Sequence, residues 1–289
     1  PILENSSILK IGQNIKYDAK ILKKYGINMI AVDDTMLMSF CINGGRHRHS
    51  MDSLSTRYLN HDPIPIKELI GTGKSAVTFD KVPIEKATTY ASEDADITLR
   101  LWSTFKPSLL ANRVNTVYET MERPLIFVLK EMEENGIVVD RKHLQDMSNK
   151  LAQKMTNLES NIHKKAGFEF NVGSPKQLGE VLFETLKMPG GKKGKTGAYA
   201  TGAEVLMTLS VDGYDFAQDV LDWRQMSKLK STYTDALQDH IDEATGRVHT
   251  SYISSGASTG RLSSSDPNLQ NIPIRTEEGR KIREAFISK

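Results

Sequence analysis

The spacing of hydrophobic residues changes twice along the 289-residue chain. Residues 8–110 mix short apolar runs with helical patterns, which favours an α/β domain. The next stretch is mostly helical, because apolar residues recur there every three or four positions. From Arg247 onward the pattern changes to strand and ordered loop. We therefore predict three parts, residues 1–110, 111–245 and 246–289.

Capping residues mark the ends of elements in the helical part. Its first helix spans about residues 114–134 and contains Pro124, which predicts a kink or a restart. Polar N-caps and glycine C-caps then bound the following helices. These caps are, in chain order, Gly136, Asp140, Gly167 and Ser174. A short strand is predicted at Ile137–Val139, and helical character resumes over about residues 215–237.

Residues 187–202 have the composition of a mobile basic loop. They hold five glycines and no acidic residue. The basic residues of this loop are Lys187, Lys192, Lys193 and Lys195. Two tripeptides, at residues 194–196 and 73–75, end like a phosphate-binding loop, but that motif needs a further glycine where this chain has Pro189 and Glu68. We therefore exclude a P-loop nucleoside triphosphatase.

The overall composition indicates the class of protein but not its partner. Hydrophobic residues make up 38% of the chain and charged residues 26%, as in globular proteins. No apolar run approaches the ~18 residues that a membrane span needs. A net charge of +2 is too small to indicate a nucleic-acid partner by itself. With one cysteine and no leader-like segment, we expect a cytoplasmic protein without membrane association.

A possible zinc site and the two ends of the chain need separate interpretation. Cys41, His47 and His49 have no fourth ligand at a usable spacing, so a His-Arg-His loop on a polar surface is the favoured interpretation. The sequence starts at Pro1 without an initiator methionine and stops at Lys289 without a terminating element. We therefore expect a piece of a longer protein.

Two short segments carry residue types that suit metal-dependent phosphodiester hydrolysis. They are residues 14–18 (Asn-Ile-Lys-Tyr-Asp) and 90–94 (Tyr-Ala-Ser-Glu-Asp). Tyr90 and Asp94 lie four residues apart on a predicted helix, so their hydroxyl and carboxyl groups share one face. Hydrolysis with two metal ions needs carboxylates to hold the ions and a group to orient the water, roles that suit Asp18, Asp94 and Tyr90. Taken alone, the spacing favours an acid that simply caps or solvates a helix.

In order and spacing, these segments resemble the second and third motifs of the DnaQ-like 3′–5′ exonucleases. The resemblance implies that Asp18 and Asp94 bind metal and that Tyr90 helps to place the attacking water. Between them, residues 34–37 and 51–54 are similar to segments of the exonuclease domain of family A DNA polymerases. The first motif of the exonuclease family, Asp-x-Glu, would lie before Pro1, so we expect an incomplete metal site.

Residues 259–273, TGRLSSSDPNLQNIP, match the first polymerase motif of bacterial family A DNA polymerases nearly letter for letter. The segment is rich in turn-forming residues, but turn composition does not produce a match of this length. Other segments similar to the family follow in the family's order. These are residues 132–140, 176–178 and 228–233. The resemblance covers the chain from about Leu9 to Ile287 and is weakest in the basic loop and over residues 203–216.

The resemblance implies a fold of the α/β and α+β multidomain type. A truncated ribonuclease-H-like exonuclease domain would occupy residues 1–110. A mostly helical thumb with its palm-side helix would follow over residues 111–245, and the first strands of the palm would lie within residues 246–289. The implied parent is a DNA-directed DNA polymerase, a nucleotidyltransferase that extends a primer in replication and repair and carries a proofreading-type domain. It would use Mg²⁺ in two-metal sites, bind primer–template DNA and deoxynucleoside triphosphates, and act as a monomer.

A polymerase must bind all primer–template sequences equally, so it contacts phosphates and the acceptors that all base pairs share in the minor groove. The family resemblance implies such contacts for residues in both the polymerase motif and the thumb. Near the primer end, the implied residues are Arg261, Asn268 and Gln270. On the duplex backbone they are Asn171, Arg224 and Lys228. Arg275 is implied near the phosphates of the incoming nucleotide. For Lys228, a solvated helix face is the alternative interpretation.

The carboxylates of the polymerase palm belong to motifs expected after Lys289. We therefore expect the isolated chain to have neither polymerase nor exonuclease activity. A non-catalytic DNA-binding or clamp-like fragment is the alternative description. Primer extension by a longer protein distinguishes the two.

Overall fold

The computed structural model describes residues 1–194 and 197–288, apart from the side chain of Lys74. Lys195 and Thr196, which belong to the predicted basic loop and to one rejected phosphate-loop tripeptide, lie outside the described residues. The chain forms two compact units. The first comprises Pro1–Gly136 and Thr250–Gln270, and the second comprises Ile137–His249 and Asn271–Lys289. These are packing units, and the domain limits at residues 110 and 245 stay predictions.

Short strands alternate with helices of very different lengths. The helices are α1 (Ile15–Lys24), α2 (Thr35–Asn43), α3 (Met51–Leu54), α4 (Ile66–Ile70), α5 (Ile84–Ala111), α6 (Asn115–Val117), α7 (Arg123–Asn135), α8 (Arg141–Ala166), α9 (Pro175–Glu180), α10 (Ala203–Val211), α11 (Asp215–Leu229), α12 (Ala236–Asp239) and α13 (Glu277–Glu284). The strands are β1 (Lys10–Gly12), β2 (Val32–Asp34), β3 (Ile137–Val139), β4 (Arg247–Val248), β5 (Ser251–Ile253), β6 (Ser263–Ser265) and β7 (Phe286–Ile287). The mixed α/β fold confirms the predicted fold class.

The first unit is built around the long helix α5. Strands β1 and β2 pair in parallel, with Lys10 opposite Val32. Helix α5 buries Ile97, Leu101 and Phe105, which lie four residues apart on one face. These side chains join residues of α1 and α2 in one hydrophobic core. Strands β5 and β6 form a separate antiparallel hairpin in this unit.

Pro124, where a kink or a restart was predicted, lies within a continuous helical stretch. A π-helical segment, Tyr118–Glu122, leads directly into α7, which has Pro124 in its first turn. The backbone stays right-handed helical through Glu122 and Arg123, and Pro124 lies where the hydrogen bonding changes from π-helical to α-helical. Gly136 ends α7 with a φ of 60° and donates its N–H to the Met132 carbonyl oxygen. The predicted end of this helix is therefore confirmed.

The second unit confirms the other predicted caps. Asp140 accepts a hydrogen bond from the His143 N–H at 3.0 Å, and Ser174 caps α9 in the same way through Gln177. Gly167 ends α8 with a φ of 88°. Strand β3 lies between β4 and β7 in an antiparallel sheet. The hydrophobic core of this unit collects side chains from α8, α9, α10 and α11, among them Leu178 and Leu206.

The prediction of strand and loop from Arg247 to the end is wrong for α13. Thr276 caps this helix by accepting a hydrogen bond from the Gly279 N–H at 3.1 Å. Acidic residues occupy its first turn, while Lys281 and Arg283 lie in its last turn, an arrangement that favours a helix. This capping signal is visible in the sequence, but the turn-rich motif before it led to the prediction of a loop.

The surface-loop interpretation of the histidine segment is wrong for His49. Its ring is buried, and its two nitrogens contact the Ser39 hydroxyl at 2.9 Å and the Gly44 carbonyl oxygen at 2.7 Å. Burial lowers its pKa, since desolvation disfavours the charged ring. Among the helices that the structure describes, none is both long and apolar enough to cross a membrane.

Candidate functional site

Tyr90 and Asp94 lie side by side on helix α5, as their spacing predicts. Both are half-buried. Asp94 Oδ1 is inaccessible to solvent and has no hydrogen-bond partner among the described residues. Burial raises the pKa of Asp94 to about 6; the Tyr90 hydroxyl lowers it, while the carboxylates of Glu93 and Asp52 raise it further. Burial and the adjacent Asp94 raise the pKa of Tyr90 to about 12, so its hydroxyl stays protonated at neutral pH.

Asp18 lies on α1 and its side chain is exposed. Partial desolvation raises its pKa, and no charge from Asp94 contributes to that shift. Besides the neighbouring Glu93, the residue that adds negative charge beside Asp94 is Asp52, at the start of α3. Over residues 1–194 and 197–288, no three His, Cys, Asp or Glu side chains converge as a metal site. The structure thus brings Tyr90 and Asp94 together, and the role of Asp18 stays a prediction.

Sequence reasoning did not assign a role to Asp52. The segment that contains it was noted only for its family resemblance. An aspartate in the first turn of a short helix carries no signal that points to a residue on α5, since that proximity arises from the tertiary fold.

The polymerase-like motif forms the second strand of the β5–β6 hairpin and the loops on both sides of it. Tyr252 pairs with Ser264 across the hairpin, and the Thr250 hydroxyl contacts the Ser264 hydroxyl at 2.7 Å. Thr250 also donates to the Pro267 carbonyl oxygen at 2.8 Å. These contacts are local to the hairpin. They fix the base from which the loop of residues 254–262 projects.

The three predicted DNA-contacting residues of the motif are exposed. Arg261 lies in the loop between the two strands. Asn268 Oδ1 accepts a hydrogen bond from the Gln270 N–H at 3.0 Å. The Gln270 side-chain amide donates to the Leu262 carbonyl oxygen. The fold therefore places all three on one short hairpin, with Asn268 and Gln270 held by local hydrogen bonds.

The predicted thumb residues lie in the second unit. Lys228 is exposed near the end of α11 and lines a surface cavity of about 330 Å³. Arg224, one turn earlier, is half-buried and donates to the Thr201 carbonyl oxygen. Burial lowers its pKa. Asn171 is exposed, and its Oδ1 accepts from the Gly173 N–H at 2.9 Å. Arg275 is exposed just before α13.

Buried acidic residues of the first unit form a group that sequence reasoning did not single out. Asp33 is fully buried and accepts hydrogen bonds from Trp102 at 2.8 Å and from Tyr118 at 3.0 Å. Glu133, 2% exposed, forms ion pairs with Lys16 and Lys20. Buried charges normally need such partners. Their partners lie far away in sequence, so spacing within a motif does not reveal them.

An exonuclease-like first unit that also carries a polymerase-motif hairpin defines the class of a DNA polymerase with an exonuclease-type region. Comparison with known families agrees with this class. The family model for DNA polymerase family A matches residues 141–289, and the model for 3′–5′ exonuclease matches residues 1–110. The chain belongs to DNA polymerase family A.

Individual relatives extend this similarity over the whole chain. DNA polymerase I of Rhizobium leguminosarum is 54% identical over 99% of this chain and 28% of its own length. DNA polymerase I of Pseudomonas aeruginosa is 45% identical over 100% of this chain and 32% of its own length. The solved polymerase domain of Pol1 from M. smegmatis, in complex with DNA primer–template and dNTP, is 33% identical with a TM-score of 0.82, covering 99% of this chain and 46% of that one. The chain thus spans roughly 30% of the length of these curated relatives.

Proposed function

We propose that this chain is part of a DNA-directed DNA polymerase that extends a primer on a DNA template and carries a 3′–5′ proofreading-type region. The observation that supports this most is the motif of residues 259–273, which is held on a hairpin with Arg261, Asn268 and Gln270 exposed. Exposed donors on an ordered hairpin suit contacts to acceptors shared by all base pairs. The likeness to Pol1 of M. smegmatis, which was solved with DNA primer–template and dNTP, supports the same partners here.

We propose two modes of DNA contact. Arg261, Asn268 and Gln270 contact the minor groove near the primer end, while Asn171 and Lys228 contact duplex phosphates. Exposed amide and amino groups are suited to phosphate contacts, which position the duplex without reading its sequence. Arg224 combines this role with a structural one, because its guanidinium already binds the Thr201 carbonyl oxygen. Arg275 is proposed near the phosphates of the incoming deoxynucleotide.

Magnesium is the proposed cofactor. Asp94 fits a metal ligand, because its orphaned oxygen and raised pKa describe a carboxylate whose negative charge has no partner cation. Asp18 is the second proposed ligand, and Tyr90 would orient the attacking water through its protonated hydroxyl. When bound, the metal ions would activate that water and neutralise charge on the scissile phosphate.

The remaining proposals concern the protein as a whole. We propose that it acts as a monomer in the cytoplasm. Light scattering of the purified full-length protein tests the first point, and fractionation of the source cells tests the second. A stable dimer or a membrane-bound pool would contradict them.

Primer extension by the full-length protein tests the main proposal. The measurement is elongation of a labelled primer with four deoxynucleoside triphosphates and Mg²⁺, and we expect template-dependent products. Duplex binding without any elongation would favour the alternative, a non-catalytic DNA-binding protein.

A further inference from the structure

The β5–β6 hairpin lacks the support that a sheet normally gives to a strand. Its two strands pair only with each other among the described residues, and each is three residues long. An isolated two-stranded hairpin is marginally stable in water. The outer edge of β5 presents backbone groups that a third strand would normally satisfy. The hairpin that carries the polymerase motif therefore needs support from elsewhere.

Side chains of α1 and α7 form hydrogen bonds with backbone groups at the outer edge of β5. The Tyr252 N–H donates to Glu133 Oε1 at 2.7 Å, and the Lys16 ammonium donates to the Tyr252 carbonyl oxygen. Both polar backbone groups of the central residue of β5 are thus bound. A carboxylate of α7 and an ammonium group of α1 take the place of the missing strand. We refer to Glu133, Lys16, Lys20 and Tyr252 as the Glu133 cluster.

The carboxylate of the Glu133 cluster is buried, and its charge is compensated by two ammonium groups. Glu133 is 2% exposed, and Lys20 binds its second oxygen, Oε2, at 2.6 Å. Burial opposes ionisation, but hydrogen bonds from Lys16, Lys20 and the Tyr252 N–H hold the pKa of Glu133 below its usual value. The carboxylate therefore stays charged at neutral pH. Removing one partner would leave the others buried and uncompensated, which is strongly unfavourable.

A second contact reaches the same hairpin from another part of the exonuclease-like region. Gly45 follows α2, and a Cβ added there would lie 2.7 Å from Ser258 Cβ. The φ of Gly45 is −80°, so its backbone does not require glycine, and close approach explains the residue. Ser258 lies three residues before Arg261 in the loop between β5 and β6. Two elements distant in sequence thus contact the hairpin, one at its edge strand and one at its loop.

We propose that Lys16 and Lys20 of the exonuclease-like region have a function separate from hydrolysis: they hold Glu133 of α7, which positions the hairpin that presents Arg261 to the primer–template. This inference rests on the proposed polymerase function. Glu133 is a positioning residue, since it acts through the backbone of Tyr252. The polymerase reaction thereby depends on Lys16, Lys20 and Gly45 whether or not the exonuclease site is active.

The test uses the full-length protein and single-turnover incorporation. Glu133→Gln keeps the side-chain shape but removes the charge that both lysines bind. We expect the rate at saturating nucleotide to fall about tenfold or more, since small displacements of reacting groups cost about a hundredfold per ångström. Duplex affinity should stay within about twofold, because phosphate contacts supply most of it. Lys16→Met should act like Glu133→Gln, while Lys16→Arg, which keeps a charged donor, should retain most of the rate.

Glu134→Gln is the matched control. Glu134 lies next to Glu133 on α7 and pairs with Lys130 four residues earlier on the same helix, so its loss leaves the hairpin contacts intact. Its incorporation rate should equal that of the wild type. Equal rates for Glu133→Gln and Glu134→Gln would overturn the inference. A fall in duplex affinity and in melting temperature parallel to the rate would show that Glu133 only stabilises the fold, and would overturn it as well.

The Gly45 contact provides an independent arm. Gly45→Ala should lower the incorporation rate by crowding Ser258, and Ser258→Gly in the same protein should restore it by removing the opposing Cβ. Absence of that rescue would contradict the proposed role of the contact. If the wild-type protein does not extend primers at all, the proposed function fails instead, so the two failures are distinguishable.

Discussion

Two buried carboxyl groups of the first unit have opposite acid–base behaviour because their partners differ. Asp34 accepts hydrogen bonds from backbone N–H groups, including those of Ile15 at 2.9 Å and Met36 at 2.9 Å. These contacts offset only part of the cost of burial, which raises its pKa to about 6. Glu133 is equally buried but binds two ammonium groups, and its pKa is lowered. Pairing with a cation, rather than burial alone, decides the direction of the pKa shift.

The Asp34 carboxyl is expected to titrate near pH 6 in the folded protein. Because its pKa in the unfolded chain is near 4, the folded state holds the proton more tightly. The contribution of Asp34 to the free energy of unfolding is then largest below pH 4, falls as the pH rises from about 4 to 6, and is constant above that. Carbon-13 NMR of the side-chain carboxyl measures this directly. A titration midpoint near 4 would contradict the prediction.

The exposed Lys228 and the half-buried Arg224 should differ in how they affect DNA binding. Lys228→Ala should weaken duplex binding of the 289-residue chain and reduce the slope of log affinity against log salt by about 1, as expected for one lost phosphate contact. Arg224→Ala should in addition lower the melting temperature, because the Thr201 carbonyl oxygen loses its donor. Fluorescence anisotropy at several salt concentrations makes the comparison. A salt slope unchanged by Lys228→Ala would instead favour a solvated helix face.

At the scale of elements, the sequence predicted the helix ends, which depend on interactions between residues close together in the chain. Asp140 and Gly167 were found as the ends of α8 because a cap acts on backbone groups within a few residues. The partners of Glu133 were not found, because Lys16 lies 117 positions away and Tyr252 lies 119 positions away. Asp52 beside Asp94 was missed for the same reason. Motif residues were thus predictable one by one, and their tertiary neighbours were not.

Removal of the Asp140 cap should destabilise the second unit. Asp140→Ala removes the acceptor for the His143 N–H and should lower the free energy of unfolding by about 1 kcal/mol. Asp146→Ala is the control, because it removes the same charge from an exposed position further along α8. Urea denaturation followed by circular dichroism gives both values. An equal loss in the two variants would assign the effect to charge rather than to capping.

At the scale of the whole molecule, the packing units do not follow the order of the chain. Residues 250–270, which include most of the polymerase-like motif, pack within the first unit, although residues 137–249 separate them from it in sequence. Hydrophobic periodicity gave the three predicted regions but carries no information on such long-range grouping. The family resemblance gave the identities of the regions because a 15-residue match is specific on its own. The metal ligands depend on convergence of distant residues, so Asp18 remains a prediction.

The two proposed activities should separate when one residue of each site is changed in the full-length protein. Arg261→Ala removes the guanidinium hydrogen-bond donors from the exposed hairpin loop and should displace the primer end. Single-turnover incorporation should therefore fall by roughly a hundredfold, while the rate of single-strand degradation stays near that of the wild type. Asp94→Ala removes the proposed metal ligand on α5 and should show the reverse pattern. It also removes a buried carboxyl oxygen that has no hydrogen-bond partner among the described residues, so the fold should tolerate the change. Both rates are measured for both proteins, with melting temperature as the check on folding. Equal loss of both activities in either variant would indicate misfolding and contradict the assignment of two separate sites.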